Sequence, residues 1–272
     1  MVRIFGPLVG LFFAAGLLWS FVTGVVQQIR SPDPSTAIKE FHLPPNEEVR
    51  FSFDGPFGRF DRAQLQRGFQ VYKEVCSNCH SLKQIAFRNL TDLGYSEAEV
   101  KAIAKGWATK AKTFDAKTGD AGERDNTPAD HIPPVYYAGT GSPPDLSLIT
   151  KARHGGANYV YSLLTGYAQQ PAELLKKYPD SKTPDGLFYN PYFANLNIAM
   201  PPPLTTDGQV TYGDGTKASV DQMARDVAAF LTWTAEPKLE KRKQTGWPVL
   251  GFLIVATALA YLSKRNIWAD QH

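Results

Sequence analysis

The chain of 272 residues carries 29 Lys+Arg against 26 Asp+Glu, a formal charge of +3, and is 43% hydrophobic. It is long enough to bury a core, and its charge is too small and too scattered for nucleic-acid binding. Its 22 Gly and 20 Pro predict a loop-rich fold around few helices, and its two cysteines exclude a disulfide framework.

No internal repeat, P-loop or GxGxxG pattern is present. Residues 5–26 contain no charge, and as a helix they would rise about 33 Å, enough to cross a bilayer core. Residues 1–30 therefore read as an amino-terminal transmembrane anchor. The competing reading is a cleaved signal peptide, whose apolar region is usually shorter; the one small-x-small pattern nearby, Ser35-Thr36-Ala37, lies beyond Pro32 and Pro34. No Arg- and Ser-rich amphipathic presequence opens the chain, which points to a bacterial rather than a mitochondrial origin.

Asp61 is a good N-cap for a helix over residues 61–75, with Leu65, Phe69, Tyr72 and Val75 on one face and Gly68 small enough to admit another backbone. This helix runs straight into VCSNCH, residues 75–80, which holds both cysteines. A thioredoxin-like pair would need a βαβ setting, and a zinc site would need a second pair of ligands. Cys-x-x-Cys-His is instead the attachment signature of c-type haem: Cys76 and Cys79 would form the thioethers and His80 the proximal iron ligand. One motif predicts one covalent haem c.

Residues 107–126 are polar and contain glycine, as expected of a surface insertion. Arg153 and Tyr159 have the chemistry to hold haem propionates, or equally to form a surface pair. A sixth ligand must come from far along the chain. Met1 belongs on the other side of the membrane, and Met223 falls in an apolar helical stripe, which leaves Met200 in NIAMPPPL, with His154 in ARHGG as the alternative. His42, His131 and His272 lie in polar or terminal stretches and read as solvated. Ser219 caps a second amphipathic helix with Val220, Met223, Val227, Phe230 and Leu231 on its apolar face, closed by Pro237.

Residues 246–262 are again uncharged, with Trp247, Tyr261 and Trp268 where interfacial aromatics belong and Lys264 and Arg265 as the stop. They read as a carboxy-terminal anchor within residues 246–265, followed by a cytoplasmic tail at 266–272. Two spans put both ends on one side. Because thioether attachment in bacteria takes place outside the cytoplasm, residues 31–245 are expected in the periplasm, anchored to the inner membrane. Without the basic run at 238–243, this stretch carries a small acidic excess, a weak attraction for a basic partner.

The blocks RGFQVYKEVCSNCHSL (67–82), PPDLS (143–147), KARHGG with YVYSLLTGY (151–167), FYNPYF (188–193), AMPPPL (199–204) and DVAAFLTWTAEP (226–237) resemble, in order, those of the cytochrome c1 family. That family supplies the haem subunit of the bacterial cytochrome bc1 complex. The resemblance implies a mainly α, class I cytochrome c-like haem domain with loop-rich insertions, carried by a transmembrane helix. It implies Cys76 and Cys79 as attachment points, His80 and Met200 as axial ligands, and Arg153 and Tyr159 near the propionates. It also implies that a carbonyl at Pro144 orients the proximal imidazole. Two departures stand out: YYAGTGS at 136–142 is shorter than the family's Ala/Asn-rich stretch, and the amino-terminal span is retained.

The resemblance implies a subunit that is no enzyme by itself. It would pass single electrons from the Rieske iron-sulfur protein to cytochrome c beside cytochrome b, in a complex expected to be dimeric. The alternatives are a mono-haem subunit of another respiratory complex and a haem-based sensor, which would need an exchangeable iron position.

Overall fold

The computed structural model describes residues 2–30, 36–137 and 142–271, so Met1, Ser35, His272 and the centre of the 136–142 segment lie outside the described residues. Helix α1 (Val2–Arg30) is apolar, and its side chains from Phe5 onward are exposed along the span. A short helix α2 (Ala37–Phe41) follows, capped by the Thr36 side chain. Helix α3 (Arg62–Glu74) starts where the Asp61 carboxylate accepts from the amides of Ala63 and Gln64. Its Leu65, Phe69 and Tyr72 are buried, the face expected from their three- and four-residue spacing.

After a 3-10 turn at Cys76–Asn78, the chain forms helix α4 (Glu97–Lys105), begun by a reciprocal Ser96–Glu99 capping box. Strands β1 (Ala111–Phe114) and β2 (Ala121–Arg124) then pair antiparallel as an exposed hairpin. The 107–126 segment is thus a surface insertion only in its middle. Trp107 at its start is buried against Phe69, Tyr72 and Phe87, and Asn126 at its end is buried with its amide donating to the Thr109 carbonyl. An indole of that area is drawn into the core whatever the polarity of its neighbours.

Helices α5 (Ile149–Ala152), α6 (Gly156–Thr165) and α7 (Ala172–Lys177) lead to a two-stranded antiparallel pair, β3 (Phe188–Tyr189) and β4 (Asn197–Ile198). Helix α8 (Val220–Ala235), capped by Ser219, crosses α3. The crossing is set by Gly68: a Cβ there would lie 2.0 Å from the Asp226 carbonyl oxygen and 2.6 Å from Phe230 Cβ. Beside it the fully buried Asp226 carboxylate accepts from Arg67, Gln64 and Gln222, so the charge sunk between the helices is paired and hydrogen-bonded. Met223 is completely buried on α8, as a core residue should be.

Helix α9 (Leu239–Ile267) absorbs the second apolar segment and also the basic run before it. Lys, Arg and Glu are strong helix formers, and Glu240 and Lys243 find partners on the loop preceding α3, so the helix begins well before the apolar residues. From Trp247 to Trp268 its large apolar side chains are exposed, and both long helices have the length and composition of membrane spans. The architecture is mainly α with little strand, with one long apolar helix towards each end of the described chain.

Candidate functional site

Helix α3 ends at Glu74, two residues before Cys76, and the amides of Cys79 and His80 both donate to the Cys76 carbonyl, curling the two thiols and the imidazole into one tight turn. Both cysteines are half-buried and free. One helical turn upstream, the fully buried Tyr72 donates its hydroxyl to the His80 carbonyl at 2.9 Å, tying the residue after the turn back to the helix before it. Burial pushes the Tyr72 phenol far up, so it stays a donor at any physiological pH.

The His80 ring faces the segment that precedes α5. Its Nδ1 lies 2.8 Å from the Pro144 carbonyl oxygen. A carbonyl only accepts, so Nδ1 carries the hydrogen and Nε2 keeps its lone pair. Burial outweighs the Pro144 contact and the charge of Asp145, holding His80 below its usual pKa and therefore neutral, the form that ligates metal. Asp145 holds this segment in place: its carboxylate accepts from the Ser81 hydroxyl and the Lys83 amide, both at 2.8 Å, and from the Ser147 amide at 3.0 Å. The Leu146 amide also donates to the Ser81 carbonyl. Burial works to raise the Asp145 pKa, but the hydrogen bonds from Ser147, Lys83 and Ser81 outweigh it and the carboxylate sits below its usual range.

On the chain beyond, Arg153 is exposed at the end of α5, with its guanidinium against the half-buried Tyr159 phenol of α6. Gly155, at φ +84°, makes the turn between these helices; a side chain there would collide with Pro45. Tyr159 lies electrically close to Tyr167, whose hydroxyl donates to the Met200 carbonyl at 3.0 Å. Met200 follows β4, half-buried, and it packs against the same hydrophobic core as Cys76 and Tyr159. His154 is exposed, and so is His131, next to its backbone bridge to Ala86; His42, expected to be solvated, is half-buried at the end of α2. The structure thus joins Cys76, Cys79, His80 and Pro144 through direct contacts, sets Arg153 beside Tyr159, and ties the Met200 backbone to Tyr167. Tyr72 stands out in the sequence only as part of an apolar helix face, and Asp145 and Tyr167 not at all as site residues; their one available signal is that all three lie inside the motif blocks.

This donor set fits a covalent haem better than the competing chemistries of a CxxC pair. A redox pair works as thiolate, favoured at a helix N-terminus. Here the pair sits at the C-terminal, negative end of α3, and burial together with the Cys79 charge pushes the Cys76 thiol up to about 12. For zinc, no group of three or more His, Cys, Asp or Glu side chains converges among the described residues. Two adjacent thiols, a neutral imidazole with one free nitrogen and a half-buried thioether are what a c-type haem requires.

A sequence model of the Cytochrome C1 family matches residues 51–271. The chain is 48% identical to cytochrome c1 of Rhodospirillum rubrum over 240 residues, covering 81% of this chain and 86% of that one. It is 40% identical to cytochrome c1 of Cereibacter sphaeroides over 258 residues, 82% of this chain and 87% of the relative. It is also 45% identical over 246 residues to a protein of Bradyrhizobium diazoefficiens named cytochrome b/c1, covering 82% of this chain but 35% of that longer protein.

Proposed function

This chain belongs to the cytochrome c1 family, and on that premise we propose that it is the electron-transfer subunit of a ubiquinol:cytochrome c reductase, the cytochrome bc1 complex. Its neighbours would be cytochrome b and the Rieske iron-sulfur protein, its acceptor a cytochrome c, and its setting a dimeric complex in the bacterial inner membrane with residues 31–245 in the periplasm. The chain does no bond chemistry alone. A haem c, when bound, supplies a one-electron iron couple between the Rieske protein and cytochrome c.

The protein's part is to attach, orient and tune. Cys76 and Cys79 would hold the group covalently, and His80 would present Nε2 to it because the Pro144 carbonyl occupies Nδ1. Tyr72 fixes the His80 backbone, and Tyr167 fixes that of Met200, which would supply the second iron ligand. Met200 is preferred to His154 because it is half-buried against the core while His154 is exposed. With His80 and Met200 both as ligands, a bound haem would have a raised potential and no open position for a gas, which suits a relay rather than a sensor. Arg153 and Tyr159 lie together and would meet the propionate carboxylates.

The observation that carries this reading is the contact of His80 Nδ1 with the Pro144 carbonyl at 2.8 Å, directly behind two thiols. In the purified complex, Cys76→Ser is expected to abolish the quinol-driven reduction of cytochrome c together with the c-type α band. An unchanged rate without that haem would overturn the relay.

A further inference from the structure

The loop between residues 51 and 60 contains four phenylalanines, and the structure separates them. Phe51, Phe53 and Phe60 are buried and pack in series with ring centroids 5.1 Å apart at each step, Phe51 stacked on Phe53 and Phe60 tilted by 48° against it. Phe57, at the tip, is 75% exposed and stacks on Trp247 of α9 at 5.1 Å and an interplanar angle of 10°. The tip is a tight turn: Gly55 has φ +68°, and a Cβ on Gly58 would lie 2.1 Å from the Asp54 carbonyl oxygen.

This loop is fastened to one face of α9. Glu240, Lys243 and Trp247 follow one another at helical spacing, and all three contact it. Glu240 accepts from the Phe60 amide at 2.8 Å and from Arg62 at 3.2 Å. The Lys243 ammonium donates to the carbonyls of Phe53 and Gly55, both at 2.6 Å. The Trp247 contact comes one turn later, where the uncharged run of α9 begins. Lys238 and Lys241 are exposed about a turn and a half or more before it.

We propose that the loop at residues 53–60 is a membrane-contacting wedge, in which the Phe57–Trp247 pair sits in the headgroup boundary of the phospholipid bilayer and clamps the domain to its anchor helix. An exposed Phe stacked on an exposed Trp is costly in water and at home at that boundary. The patch is continuous with the apolar span, which fixes its occupant as lipid, and the exposed lysines lie where anionic phosphates would be met. The clamp makes α9 and the loop one rigid foot, holding the domain at a set height. It goes beyond the relay reading and needs no haem.

The test replaces Phe57 by the photoreactive p-benzoylphenylalanine in the full chain within its membrane assembly. Phe114 on the β1 hairpin (71% exposed) serves as the aqueous control, and Phe252 within the span (71% exposed) as the lipid control. After irradiation, mass spectrometry is expected to find phospholipid adducts at 57 and 252 and none at 114. No lipid adduct at 57, or more protein than lipid adduct there, overturns the proposal; the second result would mark a subunit interface. In a second variant, Lys243→Gln is expected to lower the lipid adduct at 57 severalfold while leaving that at 252 unchanged. An unchanged yield at 57 would refute the clamp.

Discussion

His80 and Met200 each have a backbone carbonyl held by a tyrosine hydroxyl, Tyr72 at 2.9 Å and Tyr167 at 3.0 Å, yet the two segments are built differently around that bond. The His80 segment hangs from a thirteen-residue helix packed across α8, and its ring and, after it, Ser81, Lys83 and Gln84 are tied to the Pro144–Ser147 stretch. The Met200 segment follows a two-residue strand and leads into Pro201, Pro202 and Pro203. One side is held by many bonds; the other by a stiff backbone and a single phenol. The difference teaches that the histidine is placed by the fold itself, whereas the methionine is placed by a loop and can be loosened without unfolding the domain.

The most severe test of that contrast removes the frame. Gly68→Val would drive a side chain into the Asp226 carbonyl, and unfolding followed by circular dichroism is expected to show a loss of about 3 kcal/mol or more. A wild-type midpoint would mean that the crossing does not carry the His80 segment. Next, Met200→Leu is expected to lower the reduction potential by on the order of 0.2 V within the roughly 0.8 V range that axial ligands span, and to admit carbon monoxide to the reduced protein. The thioether band should vanish while the domain stays folded. An unmoved potential would shift the sixth ligand to His154.

The tyrosines sharpen the comparison directly. Tyr72→Phe removes a hydroxyl from a fully buried site and is expected to cost about 1–2 kcal/mol in denaturant titration, with little change in carbon monoxide binding. Tyr167→Phe should cost about 1 kcal/mol or less but raise carbon monoxide binding and lower the potential slightly. Reversed phenotypes would sink the contrast. The smallest effect expected is pH-dependent. Asp145 is held below the usual carboxylate range, so its stabilisation is fully present above the unfolded value of about 4 and is lost as pH falls through the lower folded value. Asp145→Asn should therefore be less stable than wild type at neutral pH, with the gap closing below about pH 4 in acid titrations. A gap that persists at low pH would show that Asp145 acts through packing rather than charge.

Much of the frame was legible in the residues. The Asp61 cap, the Leu65–Phe69–Tyr72 stripe, the Ser219 cap and the two uncharged runs are local patterns of three to twenty residues, and helix formation responds to such patterns directly. The CxxCH motif is likewise local, and the blocks around it pointed to a family. What those patterns did not reveal lies between distant residues. Trp107 looked like part of a polar insertion and is core, and the basic run at 238–243 looked separate from the anchor and is its first turns. The Tyr72 and Tyr167 hydroxyls gave no sign of their acceptors.

The sequence by itself determined where α3 and α8 start, which faces they bury, which segments suit a bilayer and where two thiols and an imidazole meet, because each depends on neighbours along the chain. Only the tertiary structure decided which nitrogen of His80 is free, what holds Met200, and that Phe57 alone among its loop's phenylalanines faces outward. Those outcomes join residues 64, 33 and 190 positions apart, and such pairs are brought together by the packing of the whole domain rather than by any local preference.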